Sequence, residues 1–237
     1  MNRRVSLPGV DELFGARPSG PDRGPASGAD RADTTAAEPG TALTVLRQAV
    51  AGEDAAVQAA RAAAQDLRPP SPEVGALLRW LAVDHDTRTV VEVGAAGGVS
   101  GLWLLAGMSA GGVLTSLELD PHAHRLAASA LEGADTEARV RSIQGEGATL
   151  LDRLADASYD LVLLQNDHAA YPEHLTRART LLRPGGLLVA RGVLPVGDHE
   201  EPLGRFLHDL LEDPGFSATV LPLDDGVAIA TRTPERT

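Results

Sequence analysis

An α/β fold built on a mostly parallel sheet is what this sequence predicts, and two stretches carry the prediction. The first is residues 89–105, TVVEVGAAGGVSGLWLL. A β-branched run, Thr89-Val90-Val91, suits a buried strand, and it passes through Glu92 into glycines at 94, 97 and 98. An apolar helical pattern follows on Val99, Leu102, Trp103 and Leu105. Strand, glycine turn and helix together bring a nucleotide-like ligand against bare backbone at a helix N-terminus. The second stretch is residues 159–164, YDLVLL, a near-continuous apolar run of the kind that fills the centre of a parallel sheet.

Composition bounds what such a fold can do. The 237 residues leave room for one α/β domain of about 170–200 residues plus a tail. Aromatic residues are only 3% of the chain against 43% hydrophobic overall, so Leu, Val and Ala must do the packing. The absence of cysteine excludes disulfides and thiolate metal sites. No apolar run approaches the ~18 residues of a membrane span, and the start, MNRRVSLPGV, lacks the apolar core of a secretory signal; a cytoplasmic protein is expected. A net charge of −12 with no basic cluster argues against nucleic acid as a partner.

The elements follow in order. Residues 1–40, rich in Gly, Pro, Ala, Ser and Asp, are expected to form a disordered tail with one apolar island at residues 10–14. Residues 41–69 read as N-terminal helices: Leu43, Leu46 and Val50 share a face, Gly52 breaks the pattern, and an alanine-rich run continues to Pro69-Pro70. Ser71 caps a helix opening at Pro72, with Val74, Leu77, Leu78 and Leu81 on its apolar face. Residues 112–118 form a second strand ending in Glu118, whose carboxylate could accept hydrogen bonds from both hydroxyls of a ribose. Asp120 caps the next helix at Pro121; His122 and His124 on that helix are two apart and cannot share a face. Strands at 139–143 and 159–164 follow, then a helix carrying Leu175, Ala178 and Leu181. A turn at 183–186 leads into a strand at 187–190. A helix over 202–211 precedes an antiparallel hairpin, 218–221 and 227–231, closed by a turn at 223–226.

The glycine spacing selects the ligand. A dinucleotide fingerprint requires glycine where this chain has Ala96, and Glu92 would repel a pyrophosphate. A carboxylate there suits a cationic ligand bearing hydroxyls and an ammonium group, such as S-adenosylmethionine. The pattern Glu92-x-Gly94-x-x-x-Gly98-x-Ser100 resembles motif I of the O-methyltransferases related to catechol and caffeoyl-CoA O-methyltransferases. Glu118-Leu119-Asp120-Pro121, the segment Gln144-Gly145-Glu146-Gly147-Ala148, and Leu182-Arg183-Pro184-Gly185-Gly186 resemble later motifs of that family, in the same order. The resemblance covers residue 70 to the C-terminus.

The resemblance implies a class I methyltransferase (Rossmann-like) domain over residues 70–237: a seven-stranded, mostly parallel sheet with helices on both faces and an antiparallel last strand. It implies S-adenosyl-L-methionine as cofactor, held by Glu92, Gly94, Ala95, Gly98, Ser100, Glu118, Glu146, Gly147 and Gln165, and a small-molecule hydroxyl as acceptor. The family usually carries Asp-Ala-Asp-Lys-x-x-Tyr where this chain has residues 165–171, QNDHAAY. Asp167 and Tyr171 match, while His168 stands at the place of a lysine proposed as general base. Gln165, Arg191 and Gly192 occupy the metal-binding places, so no divalent metal is expected. Asp167, His168 and Arg191 are the catalytic candidates, with Asp167 expected to pair with Arg191. Resembling enzymes are often dimers, and the helices over 41–67 could mediate a two-fold contact. Two other readings stay open: a non-catalytic cofactor-binding protein, given the altered metal positions, and a nicotinamide-dependent oxidoreductase, which Ala96 and the absence of any lysine disfavour.

Overall fold

Alternating side chains on two central strands divide the core into two faces. On the strand Thr89–Val93 (β1), Val90 packs to one side and Val91 and Val93 to the other; on Tyr159–Leu164 (β4), Leu161 and Leu163 part in the same way from Val162 and Leu164. The computed structural model describes residues 52–165, 167–194 and 201–234. Within these, Glu53 onward forms one compact unit. The expected tail and the helical pattern over 41–50 lie outside the described residues.

The sheet has seven strands in the order β3-β2-β1-β4-β5-β7-β6. The remaining strands are Val113–Glu118 (β2), Arg139–Gln144 (β3), Leu182–Arg191 (β5), Phe216–Leu221 (β6) and Val227–Arg232 (β7). Strands β1 to β5 pair in parallel; β7 runs antiparallel to both β5 and β6 and is the one reversed strand. The order reverses between β1 and β4, and in open α/β sheets the crevice outside the strand ends at such a point is where ligands bind.

One face is covered by Ala55–Ala63 (α1), Pro72–Asp84 (α2), Val99–Leu105 (α3) and Pro121–Glu132 (α4), the other by Gly147–Leu151 (α5), Tyr171–Leu181 (α6) and Pro202–Glu212 (α7). The caps read from the sequence are present. Ser71 Oγ accepts from the Val74 amide at 3.2 Å, and Asp120 Oδ1 accepts from the amides of His122 and Ala123 at 2.9 and 2.8 Å. Asp54 caps α1 in the same way through the Val57 amide.

The expected turn at residues 183–186 is instead drawn into β5. Tyr159 pairs with Leu182 and Leu161 with Leu187, so four residues bulge out of the ladder between those two pairs. Pro184, which has no N–H to give, sits in that bulge.

Candidate functional site

The turn after β1 is made by backbone that few residues tolerate. Gly98 has φ of +90°, and a Cβ there would lie 2.9 Å from Ala130 Cβ and 3.2 Å from the Ala127 carbonyl oxygen. Glycine lets the turn fold down on α4 and start α3 at the mouth of the cleft. The turn is fixed from below as well. The Gly94 amide donates to Leu117 O at 2.8 Å, and the Ala95 amide donates to Glu118 Oε2 at 2.8 Å; Glu118 Oε1 accepts from the Asp120 amide at 3.0 Å. One carboxylate therefore holds the ends of β1 and β2 together.

Two adjoining lobes open above these strand ends, sharing Glu118, Asp120 and Gln165. The inner lobe, about 540 Å³, is lined by Val93, Gly94, Leu119, Gly145, Gly147 and Asp167 among others. The outer lobe, about 320 Å³, is lined by Leu67, Arg68, His168, Arg191, Gly192 and Asp224 among others. Gly94, Glu118, Gly147, Gln165, Asp167, His168 and Arg191 thus meet on one cleft. Ala95 is buried in the turn beside it. Glu146 is exposed and its carboxylate takes the Thr149 hydroxyl, so it lines neither lobe.

Glu92 and Ser100 lie beneath the cleft, both fully buried. Ser100 Oγ donates to Glu92 Oε2 at 2.9 Å and accepts from Gln165 Nε2 at 2.7 Å; that amide also donates to Gly94 O. Burial pushes the Glu92 carboxyl up to about 7, against the pull of the Ser116 and Ser100 hydroxyls, with the Glu118 charge adding a smaller upward push. The folded chain therefore keeps a proton on Glu92 between about 4.5 and 7 that the unfolded chain has lost, and stability from this group falls as pH rises through that window. The loss is at most about 3 kcal/mol. Urea unfolding at pH 5 and pH 8 is expected to show a steeper loss in the parent than in Glu92→Gln, whose side chain cannot ionise; equal slopes would refute it.

On the outer side, Arg191 is held from two directions. Its Nη1 donates to Gln165 Oε1 at 2.7 Å, and its Nη2 lies 3.6 Å from Asp224 Oδ2. The expected partner, Asp167, is exposed on the cleft, and among the described residues it makes no ion pair with Arg191. Burial draws the guanidinium below its ordinary value, and Asp224 opposes that most strongly. Tyr171 fixes the backbone: its hydroxyl, pushed above its usual range by burial, donates to Arg191 O at 2.7 Å. His168 packs edge-on against the Tyr171 ring at 5.1 Å, and a Cβ at Gly192 would come within 2.5 Å of His168 Nε2. Gly192 is what allows the imidazole to lie beside Arg191.

These positions do not make a cation site. Gln165 gives its one oxygen to Arg191, Gly192 has no side chain, and among the described residues no three His, Cys, Asp or Glu side chains converge as metal ligands would. Asp224, in the hairpin turn, and Arg68, just before Pro69-Pro70, join the outer lobe without being among the candidates the sequence offers. The Asp224-Asp225-Gly226 run was visible as a turn, but nothing local marks it as reaching Arg191.

A family model described as O-methyltransferase matches residues 57–233. A protein of Mycobacterium sp. (strain JLS) named "Putative O-methyltransferase" is 41% identical over 192 residues, which is 76% of this chain and 87% of that one. Among solved structures, cofactor-bound Rv0187 from MTB superimposes with a TM-score of 0.70 at 28% identity, over 82% of this chain and 97% of that one. The O-methyltransferase TomG from Streptomyces achromogenes, involved in tomaymycin synthesis and solved in complex with SAM, gives 0.69 at 26% identity over 81% and 95%.

Proposed function

The chain belongs to the O-methyltransferase family, and we propose from that premise that it moves a methyl group from S-adenosyl-L-methionine to a hydroxyl of a small molecule without a divalent metal. The observation that carries this reading is Glu118, a carboxylate at the junction of the two lobes that also bonds the amide of the glycine turn. The cofactor's chemistry suits these residues. Glu118 can take the ribose hydroxyls, Leu119 and the glycines at 145 and 147 form an open wall for a base, and the Gly94 carbonyl offers a polar contact to an amino-acid end. TomG, a relative by fold and sequence, was solved with this same molecule.

When bound, the cofactor supplies an electrophilic methyl on a sulfonium. The chain's own residues then hold the acceptor oxygen in line and deal with its proton, the part of the reaction most sensitive to geometry. Arg191 at the floor of the outer lobe offers positive charge to the acceptor oxygen, and His168, next to it, takes the proton as the oxygen–methyl bond forms. Asp167 faces the same cleft and steadies the charge that His168 gains. Glu92, Gly98 and Ser100 support the turn from below rather than touching the ligand. No described helix is long and apolar enough to cross a membrane; a cytoplasmic location and a two-fold contact through residues 41–67 belong to the same proposal.

The test is calorimetry with S-adenosylmethionine on the parent and on Glu118→Ala, followed by a screen of hydroxyl acceptors with labelled methyl donor. The variant is expected to bind about 10- to 100-fold more weakly, or roughly 1.5–3 kcal/mol, because hydrogen bonds to a charged acceptor are lost. Parent-like affinity in Glu118→Ala would remove the placement. In the acceptor screen, His168→Ala retaining full turnover would remove its role as base.

A further inference from the structure

Asp224 stands out because it makes contacts that no turn requires. It occupies the loop between β6 and β7 at φ of +47°, a conformation a non-glycine residue adopts at a cost. From there its Oδ2 accepts from the Ser71 amide at 2.9 Å, 153 residues away in sequence, and faces Arg191 Nη2 at 3.6 Å. Its neighbour Asp225 reaches back to Arg68 at 3.1 Å. The hairpin turn thus holds Arg68, on the wall of the acceptor-side lobe, through Asp225, and holds Ser71, three residues on, through the carboxylate that also faces the arginine at the lobe's floor.

We propose that Asp224 is a positioning residue for Arg191: it clamps the guanidinium from the outer side while Gln165 clamps it from the inner side, and its bond to the Ser71 amide anchors Asp224 itself to the start of α2. The inference rests on the reading of Arg191 as the acceptor-side charge. Arg191 has one donor, Nε, that is buried without a partner, while its two end groups are engaged. A planar fork fixed at both ends presents its charge in one orientation, which a single ion pair would not enforce. The site needs that fixity because among the described residues no set of metal ligands converges to orient an oxygen. Asp224 is a side chain on a turn otherwise open to many residue types, so the strain and the two long-range contacts call for a job beyond closing the hairpin.

The test uses the full chain labelled with Nε-15N arginine. All 21 basic residues are arginine, so the Arg191 signal is assigned by its disappearance in Arg191→Lys. In the parent, the Arg191 Nε–H is expected to exchange slowly with water, as a clamped, buried donor does. Asp224→Asn keeps an oxygen for the Ser71 amide but removes the charge. It is expected to speed Arg191 Nε–H exchange at least tenfold, with the melting temperature within a few degrees of the parent and S-adenosylmethionine affinity within twofold by calorimetry. Asp224→Glu, which restores the charge on a longer arm, is expected to recover most of the protection. Unchanged Arg191 exchange in Asp224→Asn would overturn the proposal. So would a fall in melting temperature and cofactor affinity together with the faster exchange and no recovery in Asp224→Glu, since that is what a merely structural turn residue would give. If the parent itself fails to bind S-adenosylmethionine, the functional reading fails, while the Arg191 exchange comparison still decides whether Asp224 clamps it.

Discussion

Replacing Asp160 by alanine is expected to lower stability by about 3 kcal/mol. The side chain is 2% exposed. Its Oδ2 accepts from two consecutive amides, Arg88 at 2.7 Å and Thr89 at 2.8 Å, and its Oδ1 lies 2.7 Å from Arg183 Nε. One carboxylate therefore ties the entry of β1, the start of β4 and the bulge in β5. Removing it leaves two amides at the sheet's lower end without their acceptor, each costing about 1–3 kcal/mol, while the lost pair with half-exposed Arg183 adds little. Asp160→Asn keeps one oxygen for the amides and is expected to cost about half as much. Urea midpoints for the two variants check this. An alanine variant within about 0.5 kcal/mol of the parent would show that water replaces the carboxylate at no loss.

Much of the scaffold was legible because its signals are local. Val90-Val91 and Leu161–Leu164 could only be buried strands, Ser71 and Asp120 stood one residue before a proline where caps belong, and the glycines after Glu92 demanded a turn. The bulge at 183–186 was misread because Pro184-Gly185-Gly186 has the composition of a free turn, and only pairing with β4 on both sides makes it part of a strand. The cleft was legible to the same extent. Glu118, Gln165, His168 and Arg191 were placed by their positions at strand ends, where the topology brings side chains together. What joins them was not. Arg191 takes its partner from a turn 33 residues later rather than from nearby Asp167, and the Glu92–Ser100–Gln165–Arg191 chain of hydrogen bonds links β1, α3, the segment after β4 and β5. Sequence spacing carries no record of which of several acids a buried guanidinium will meet.

Methyl transfer is expected to survive excess chelator unchanged and to fall by about 10²–10³ in kcat/KM when Arg191 is replaced by glutamine, roughly 3–4 kcal/mol of transition-state stabilisation. The two outcomes belong together. A divalent ion needs several oxygen ligands, preferably carboxylates, and here the positions that could supply them hold an amide already bonded to a guanidinium, that guanidinium, and a glycine. A permanent positive charge about 4 Å from a cation costs on the order of 4 kcal/mol per unit charge even in a surface-like dielectric, so the arginine and the ion exclude each other. On the proposed reading the arginine gives what the ion would have given, positive charge at the acceptor oxygen, fixed by Gln165 and Asp224 and needing no exchange with solvent. Glutamine at 191 keeps hydrogen-bonding capacity to Gln165 while removing the charge, so its effect isolates the electrostatic contribution. Cofactor affinity should stay within threefold, because Arg191 lines only the outer lobe, whereas Gly94, Leu119, Gly145 and Gly147 line only the inner one. The measurement is initial rates with labelled methyl donor and the acceptor found by screening, for parent and Arg191→Gln, with and without chelator and then with added magnesium. Loss of parent activity in chelator and its return with magnesium would sink the idea, and an Arg191→Gln enzyme as fast as the parent would remove the arginine from the reaction.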